Sequence, residues 1–304
     1  MPRYIGWCIS VVLMVVLLLS ATACLPEPLP GTFVDDLGRT VNIEKVPQRI
    51  VSLAPSNTEI LYALGLEDKL VGVTEYCNYP EAAKAKPKIG GFATVDIERV
   101  VGLEPDLVLA TSIHEGTVIP ALEEVGLTVL ALAPKTLDGV LANITLVGEI
   151  TGKSQEATRL VTSLEERIKT VTDKTRAMAE RPRILYLTWH DPLWTTGSGT
   201  LEDDLINKAG GENIAHDLTG HKTIDLETVI QRNPQVIVVN SGHGEAKDLP
   251  YHYVKNEPRL GVTEAVMAGR VYQIDADIIN RPTPRMVDAL EQLAKFIHPE
   301  LFEE

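Results

Sequence analysis

Across residues 155–179 the chain places Ala157, Leu160, Val161, Leu164, Ile168, Val171 and Met178 at helical spacing. Steps of three, four and seven gather them on one face of a single helix. Glu156, Arg159, Glu165, Glu166, Lys169, Asp173 and Lys174 fall on the other face, and neither Gly nor Pro interrupts the run between Ser154 and Arg181. Ser154 or Thr151 is placed to cap the start, and Pro182 stops the helix. At 1.5 Å per residue it is about 38 Å long, roughly the height of a domain.

On both sides of this helix short apolar runs alternate with amphipathic ones. Before it, β segments at 33–34 and 40–43 form an opening hairpin. Strands at 49–53, 69–73, 107–110 and 128–132 then alternate with helices at 59–64, 95–101, 118–125 and 137–151. After it, strands at 183–187, 236–239 and 271–274 alternate with helices at 201–209, 226–231 and 284–296. Such alternation predicts an α/β fold with mostly parallel sheets covered on both faces. The halves also echo each other. Residues 95–110 (VDIERVVGLEPDLVLA) and 224–239 (IDLETVIQRNPQVIVV) match at an offset of 129, with Asp, Glu, Val and Pro retained. RIVSL at 49–53 and RILYL at 183–187 form a second pair in the same order. The expectation is two similar lobes, 36–153 and 182–304, joined by one long helix at 154–181, with a ligand cleft between them.

The N-terminus changes the picture of location. Arg3 precedes an apolar run at 9–19 broken only by Ser10, then small residues and Cys24. Residues 1–23 read as a secretory signal peptide rather than a spanning helix of the mature chain. Ala-Thr-Ala before Cys24 resembles a bacterial lipobox, with Ala21 where that pattern prefers Leu; Cys24 would then carry lipid, and several acyl chains give stable anchoring. Residues 24–35, with three prolines in LPEPLPG, read as a stiff tether. The expectation is a protein outside the cytoplasm, anchored to the cell membrane as a lipoprotein. With Cys8 removed and Cys24 lipidated, only Cys77 remains, so no internal disulfide is expected. The 304 residues carry a net charge of −14, or −15 without residues 1–23, whose only charge is Arg3. An acidic chain without a Lys/Arg run argues against a nucleic-acid partner.

Loops after strand C-termini face the ligand in open α/β sheets. The first half holds Tyr76, Cys77, Asn78, Tyr79 and Phe92 there, and the second Trp189, His190, Asp191 and Trp194. Aromatics make up 5% of the chain, so this clustering suits a large flat or apolar ligand. Equally, each ring can wedge its loop against its own lobe. Arg281 either bonds ligand amides or a carboxylate, or pins its own loop. His190 and Cys77 are metal-ligating types, and also ordinary loop and core residues. The remaining histidines lack short ligand spacing, so neither a protein-held metal nor a cofactor is expected. No G-x-S-x-G, Walker or dinucleotide motif is present, and no acid/base cluster assembles, so a membrane-tethered hydrolase is the weaker reading and no catalytic residue is assigned.

Residues 49–65 (RIVSLAPSNTEILYALG), 71–80 (VGVTEYCNYP), 95–110, 210–215 (GGENIA) and 281–285 (RPTPR) resemble the helix-linked periplasmic substrate-binding proteins of ABC importers. That family carries cobalamin, iron siderophores or haem, and the likeness is greatest to its cobalamin-carrying members. The resemblance implies that Phe92 and Trp194 pack against the ligand, with Tyr76, Tyr79, Trp189, His190 and Arg281 beside them. An aromatic of those carriers is replaced here by Ile278. It further implies that Glu59 and Glu212, taken as equivalent positions of the two lobes, dock onto arginines of a permease dimer with its ATPase; an ordinary solvated or capping carboxylate is the alternative. The implied protein is a monomeric carrier of cobalamin (vitamin B12) or a related corrinoid, with ferric siderophore or haem as the alternative ligand.

Overall fold

The computed structural model describes residues 31–241 and 248–302. The expected signal peptide, Cys24 and all but the end of the tether lie outside them. The chain opens with an antiparallel hairpin, β1 (Gly31–Val34) and β2 (Thr40–Ile43). Asp35 holds its turn. The buried carboxylate accepts from the backbone N–H of Leu37, Arg39 and Ala131 and pairs with the Arg39 guanidinium, which fastens the hairpin to the first lobe.

The first lobe runs β3 (Ile50–Ser52), α1 (Pro55–Ala63), β4 (Leu70–Val73), α2 (Ile97–Gly102), β5 (Leu107–Ala110), α3 (Val118–Glu124), β6 (Val129–Ala131) and α4 (Leu137–Thr151). Its sheet, ordered β4-β3-β5-β6, is entirely parallel. The linking helix α5 spans Ser154–Arg176. The second lobe follows with β7 (Arg183–His190), β8 (Leu193–Thr196), α6 (Leu201–Lys208), β9 (Glu212–Asn213), β10 (His221–Thr223), α7 (Leu226–Arg232) and β11 (Val236–Asn240). It closes with α8 (Leu249–Asn256), α9 (Glu264–Met267), β12 (Val271–Ile274), α10 (Ala276–Ile279) and α11 (Met286–Ile297). Its sheet has the order β10-β8-β7-β11-β12, with β9 paired to β7.

The duplication is visible in atomic detail. The triplet β3-β5-β6 recurs as β7-β11-β12. Arg49 donates from Nε to the carbonyl of Glu104, and Arg183 donates from Nε to that of Asn233. Glu104 and Asn233, 129 residues apart, both adopt positive φ, 47° and 43°. Asp106 and Gln235 accept from the backbone N–H of the same two arginines. Asp96 and Asp225 cap α2 and α7 through the N–H of Arg99 and Thr228. A shared hydrogen-bond grammar at matched positions is what two copies of one α/β unit require.

Several boundaries differ from expectation. Helix α1 begins at Pro55 rather than near Glu59, because proline is favoured in a first turn. Asn57 and Thr58, just ahead of the expected start, lie within the helix and bond the carbonyl of Ala110 and the hydroxyl of Ser52. At the start of α5, Lys153 occupies the cap position without a side-chain bond, and the helix stops at Arg176. The aromatic segment 188–196, read as a loop, is an antiparallel hairpin in which Trp189 and Trp194 are cross-strand partners.

The linking helix does not act alone. One apolar cluster extends through both lobes, taking in Ile144 and Val147 of α4, Leu164, Ile168 and Val171 of α5, and Leu290 and Leu293 of α11. Helices α4 and α5 approach so closely that a Cβ on Gly148 would lie 2.4 Å from that of Ala157. Arg167 of α5 pairs with Asp288 and Glu291 of α11. At the start of α4, the Leu137 N–H donates to Asp204 of α6 at 2.8 Å. The lobes thus share a core along one side, and the opposite ends of their sheets are left to form the cleft.

Candidate ligand cleft and docking residues

In both sheets the parallel strands deliver their C-terminal ends, and the loops that leave them, to the cleft. On the first lobe Tyr76 is 59% exposed and Phe92 half-buried. Gly90 and Gly91 shape the turn between them. Gly90 has φ +96°, where a Cβ would meet the Thr94 carbonyl at 2.6 Å, and a Cβ on Gly91 would touch the Tyr76 ring at 3.7 Å. Glycine is therefore required for the turn that presents Phe92.

His114 was not anticipated in this site. It is fully buried, accepts the Thr111 N–H at Nδ1 (3.1 Å), and so donates from Nε2 to the Phe92 carbonyl (2.8 Å). Its ring also meets the Phe92 ring edge-on at 5.6 Å. Burial holds the imidazole below its ordinary pKa, opposed by the Phe92 and Thr111 backbone bonds. A neutral histidine thereby braces the aromatic residue. A lone histidine 22 residues from its partner gives no sequence signal of this.

On the second lobe Trp194 is 39% exposed at the start of β8. Trp189 is half-buried and donates from Nε1 to the Asp191 carbonyl, which ties it to its own hairpin. His190 lies between Trp189 and Tyr253, with ring centroids at 4.7 and 5.6 Å, and its Nδ1 is buried without a hydrogen-bond partner. Cys77 is buried, with Sγ 3.2 Å from the hydroxyls of both Thr58 and Thr74. It is a packed residue of the first lobe.

Arg281, Tyr79 and Glu59 converge elsewhere than expected. The Glu59 side chain is 2% exposed and receives Arg285 through two bonds, Nε to Oε2 at 2.7 Å and Nη2 to Oε1 at 2.6 Å. Arg281 joins at 3.3 Å, pairs with Asp277 at 2.7 Å, and donates to Asn78 at 2.6 Å. The Arg285 guanidinium also lies over the Tyr79 ring, 4.0 Å from its centroid. Burial opposes the charge on Arg285, but the Glu59 carboxylate, with Tyr79 and Asp277, outweighs it and raises the pKa. Arg281 therefore spends its donors on protein groups. Behind it, the buried Tyr186 hydroxyl donates to Asn280 at 2.8 Å and fixes the adjoining backbone.

The two residues of the expected docking pair do not occupy equivalent places. Glu59 is enclosed between the lobes, not a surface knob. Glu212 is exposed, but it pairs in register with Arg183 at the first residue of β7, the end of the sheet away from the cleft. The residues that are truly equivalent are Glu98 and Glu227, in the first turns of α2 and α7. Both are exposed. Both helices start at the strand C-terminal end and run back toward β5 and β11, so both carboxylates border the cleft. The signal was the 129-residue echo itself.

This arrangement of two α/β lobes joined by a linking helix has known counterparts. Residues 50–278 match the Periplasmic binding protein family, and the chain belongs to it. The ABC transporter substrate-binding lipoprotein YvrC of Bacillus subtilis is 36% identical over 91% of this chain and 88% of its own length. The vitamin B12-binding protein of Vibrio cholerae serotype O1 is 31% identical over 82% of this chain and 89% of its own. The apo periplasmic heme-binding protein RhuT of Roseiflexus sp. RS-1 superposes with a TM-score of 0.74 at 28% identity, covering 84% of this chain and 99% of RhuT. The protein is a solute-binding protein of ABC transport, related to binders of vitamin B12, heme and iron chelates. Among the described residues no helix is long and apolar enough to cross a membrane.

Proposed function

We propose that the protein is a lipid-anchored extracytoplasmic carrier that captures cobalamin or a related corrinoid and delivers it to the permease of an ABC importer. The observation that carries this reading is the charge state of the cleft. Aromatic side chains stand on both walls, at Tyr76 and Phe92 and at Trp189 and Trp194, while Arg281 and Arg285 are already neutralised by Glu59 and Asp277. A polyanionic iron chelate needs free cations. A large amide-fringed macrocycle needs apolar faces with a few polar contacts at the rim. Likeness to the V. cholerae vitamin B12-binding protein supports the same choice.

Haem is the second reading, favoured by the exposed Tyr76 and by the unpartnered ring nitrogen of His190. Calorimetric titration of the purified protein with cyanocobalamin, haemin and ferric siderophores separates them. Cyanocobalamin is expected to bind at micromolar concentration or tighter, and haemin binding in its place would transfer the assignment.

Delivery follows from symmetry. One exposed carboxylate per lobe, at Glu98 and Glu227, suits a two-fold permease presenting paired cations, and fixes orientation more than affinity. The carrier acts as a monomer, held near the membrane through lipid on Cys24.

A further inference from the structure

The contacts around Glu59 do more than consume Arg281. Glu59, Asn78 and Tyr79 belong to the first lobe, and Asp277, Arg281 and Arg285 to the second. The bonds between these sets cross the cleft. They comprise the bidentate Arg285–Glu59 pair, Arg281 to Glu59, Arg281 to Asn78 and Asn78 Nδ2 to Asp277 at 2.9 Å. Arg285 stacked on Tyr79 adds a further crossing contact. Asn78 and Tyr79 lie in the loop after β4, Glu59 in the middle of α1, and Asp277, Arg281 and Arg285 in α10 and the segment that leads from it into α11. The shared core at α4, α5 and α11 holds the lobes along the other side.

We propose that Glu59, with Arg281 and Arg285, is a lock between the lobes that sets the width of the cleft and positions the Tyr76 loop for ligand. The physical reason is the enclosure of Glu59. A carboxylate with a 2% exposed side chain is tolerable only beside its cations, and removing one partner of such a pair strands the other charge. Separating the lobes strips Glu59 of both guanidiniums at once. The lock also holds Asn78 and Tyr79, the second and third residues after Tyr76, against the second lobe, so its state is felt at the aromatic wall. Glu59 touches no ligand in this scheme and is a positioning residue. The lock rests on the geometry between lobes, and its consequence for binding rests on the corrinoid reading.

The test measures lobe separation in the ligand-free full-length mature chain by electron spin distance measurement, with labels at Asp68→Cys and Lys255→Cys. The unaltered protein is expected to give one narrow distance distribution. Glu59→Gln keeps the shape of the side chain but removes its charge, and is expected to broaden and lengthen that distribution. Asn78→Ala, which removes two rim bonds and no buried charge, is expected to do so in smaller measure. Asp35→Asn breaks an equally buried carboxylate within one lobe and should leave the distance unchanged. With cyanocobalamin as probe, Glu59→Gln is expected to speed dissociation about tenfold or more. Coincident distributions for Glu59→Gln and the unaltered protein would overturn the lock, as would an equal change in Asp35→Asn. Should the unaltered protein fail to bind cyanocobalamin, the ligand assignment falls while the distance result still decides the lock.

Discussion

The Nε2–H of His114 donates to the carbonyl of Phe92 at 2.8 Å, so the position of an aromatic wall depends on the protonation of a buried imidazole. Since burial depresses that pKa, the unfolded chain takes up a proton near pH 6.5 while the folded one stays neutral. Stability is then complete above about pH 6.5 and falls as pH drops toward the lower folded pKa. His216, raised by its bond to Asp203, acts with the opposite sign. Comparison with His114→Gln isolates the effect. Its melting temperature should fall less between pH 7 and pH 5 than that of the unaltered protein, and an identical pH slope would remove His114 from the account.

Trp194 and Phe92 are the proposed aromatic anchors, one on each lobe. Replacing either with alanine should weaken cyanocobalamin binding by about 2 kcal/mol, roughly thirtyfold, with little change in folding. Trp189→Phe, which removes the bond to the Asp191 carbonyl, should mainly loosen the hairpin and affect binding less. Calorimetry at one temperature ranks the three. A Trp194→Ala variant with unaltered affinity would move the ligand away from this wall.

Charge reversal separates docking from binding. Glu98→Lys with Glu227→Lys should abolish uptake by cells while leaving ligand affinity in solution intact. Glu212→Lys, at the far end of its sheet, should leave both unchanged. Uptake that survives the first pair and fails with Glu212→Lys would restore the docking role expected of Glu212.

The linking helix makes its own prediction. Leu164 of α5 is 4% exposed within the cluster that runs through both lobes. Leu164→Ala should destabilise the protein by about 2–4 kcal/mol in chemical denaturation, as for other large-to-small core changes. Leu164→Pro also breaks the helix, and should split unfolding into two transitions if α5 is what makes the lobes cooperate. A single transition of unaltered midpoint would refute that.

Much of this molecule is legible in its sequence. The periodicity of α5, the alternation of strands and helices and the 129-residue echo are local patterns. Each follows from where apolar side chains must fall for a helix or a buried strand to form. Helix α4 matched its expected limits, Leu137–Thr151, because Thr136 and Gly152 punctuate it. The β7–β8 hairpin escaped because its aromatic residues read equally well as a loop. Tyr76, Phe92 and Trp194 drew attention in the sequence because strand C-terminal loops carry ligand contacts in open α/β sheets.

Partnership was decided only by tertiary structure. Glu59 and Arg285 are 226 residues apart, and no spacing rule connects them. In the sequence Glu59 is a helical carboxylate that could dock, cap or stay solvated, and Arg281 a cation that could serve ligand or pin its own loop. Folding brings them together between the lobes, where low exposure makes an unpaired charge untenable and assigns both to holding the lobes in place. Composition and periodicity fixed which elements form. Which charges remain available to ligand and transporter was settled by their packing, since burial and pairing are properties of the assembled fold.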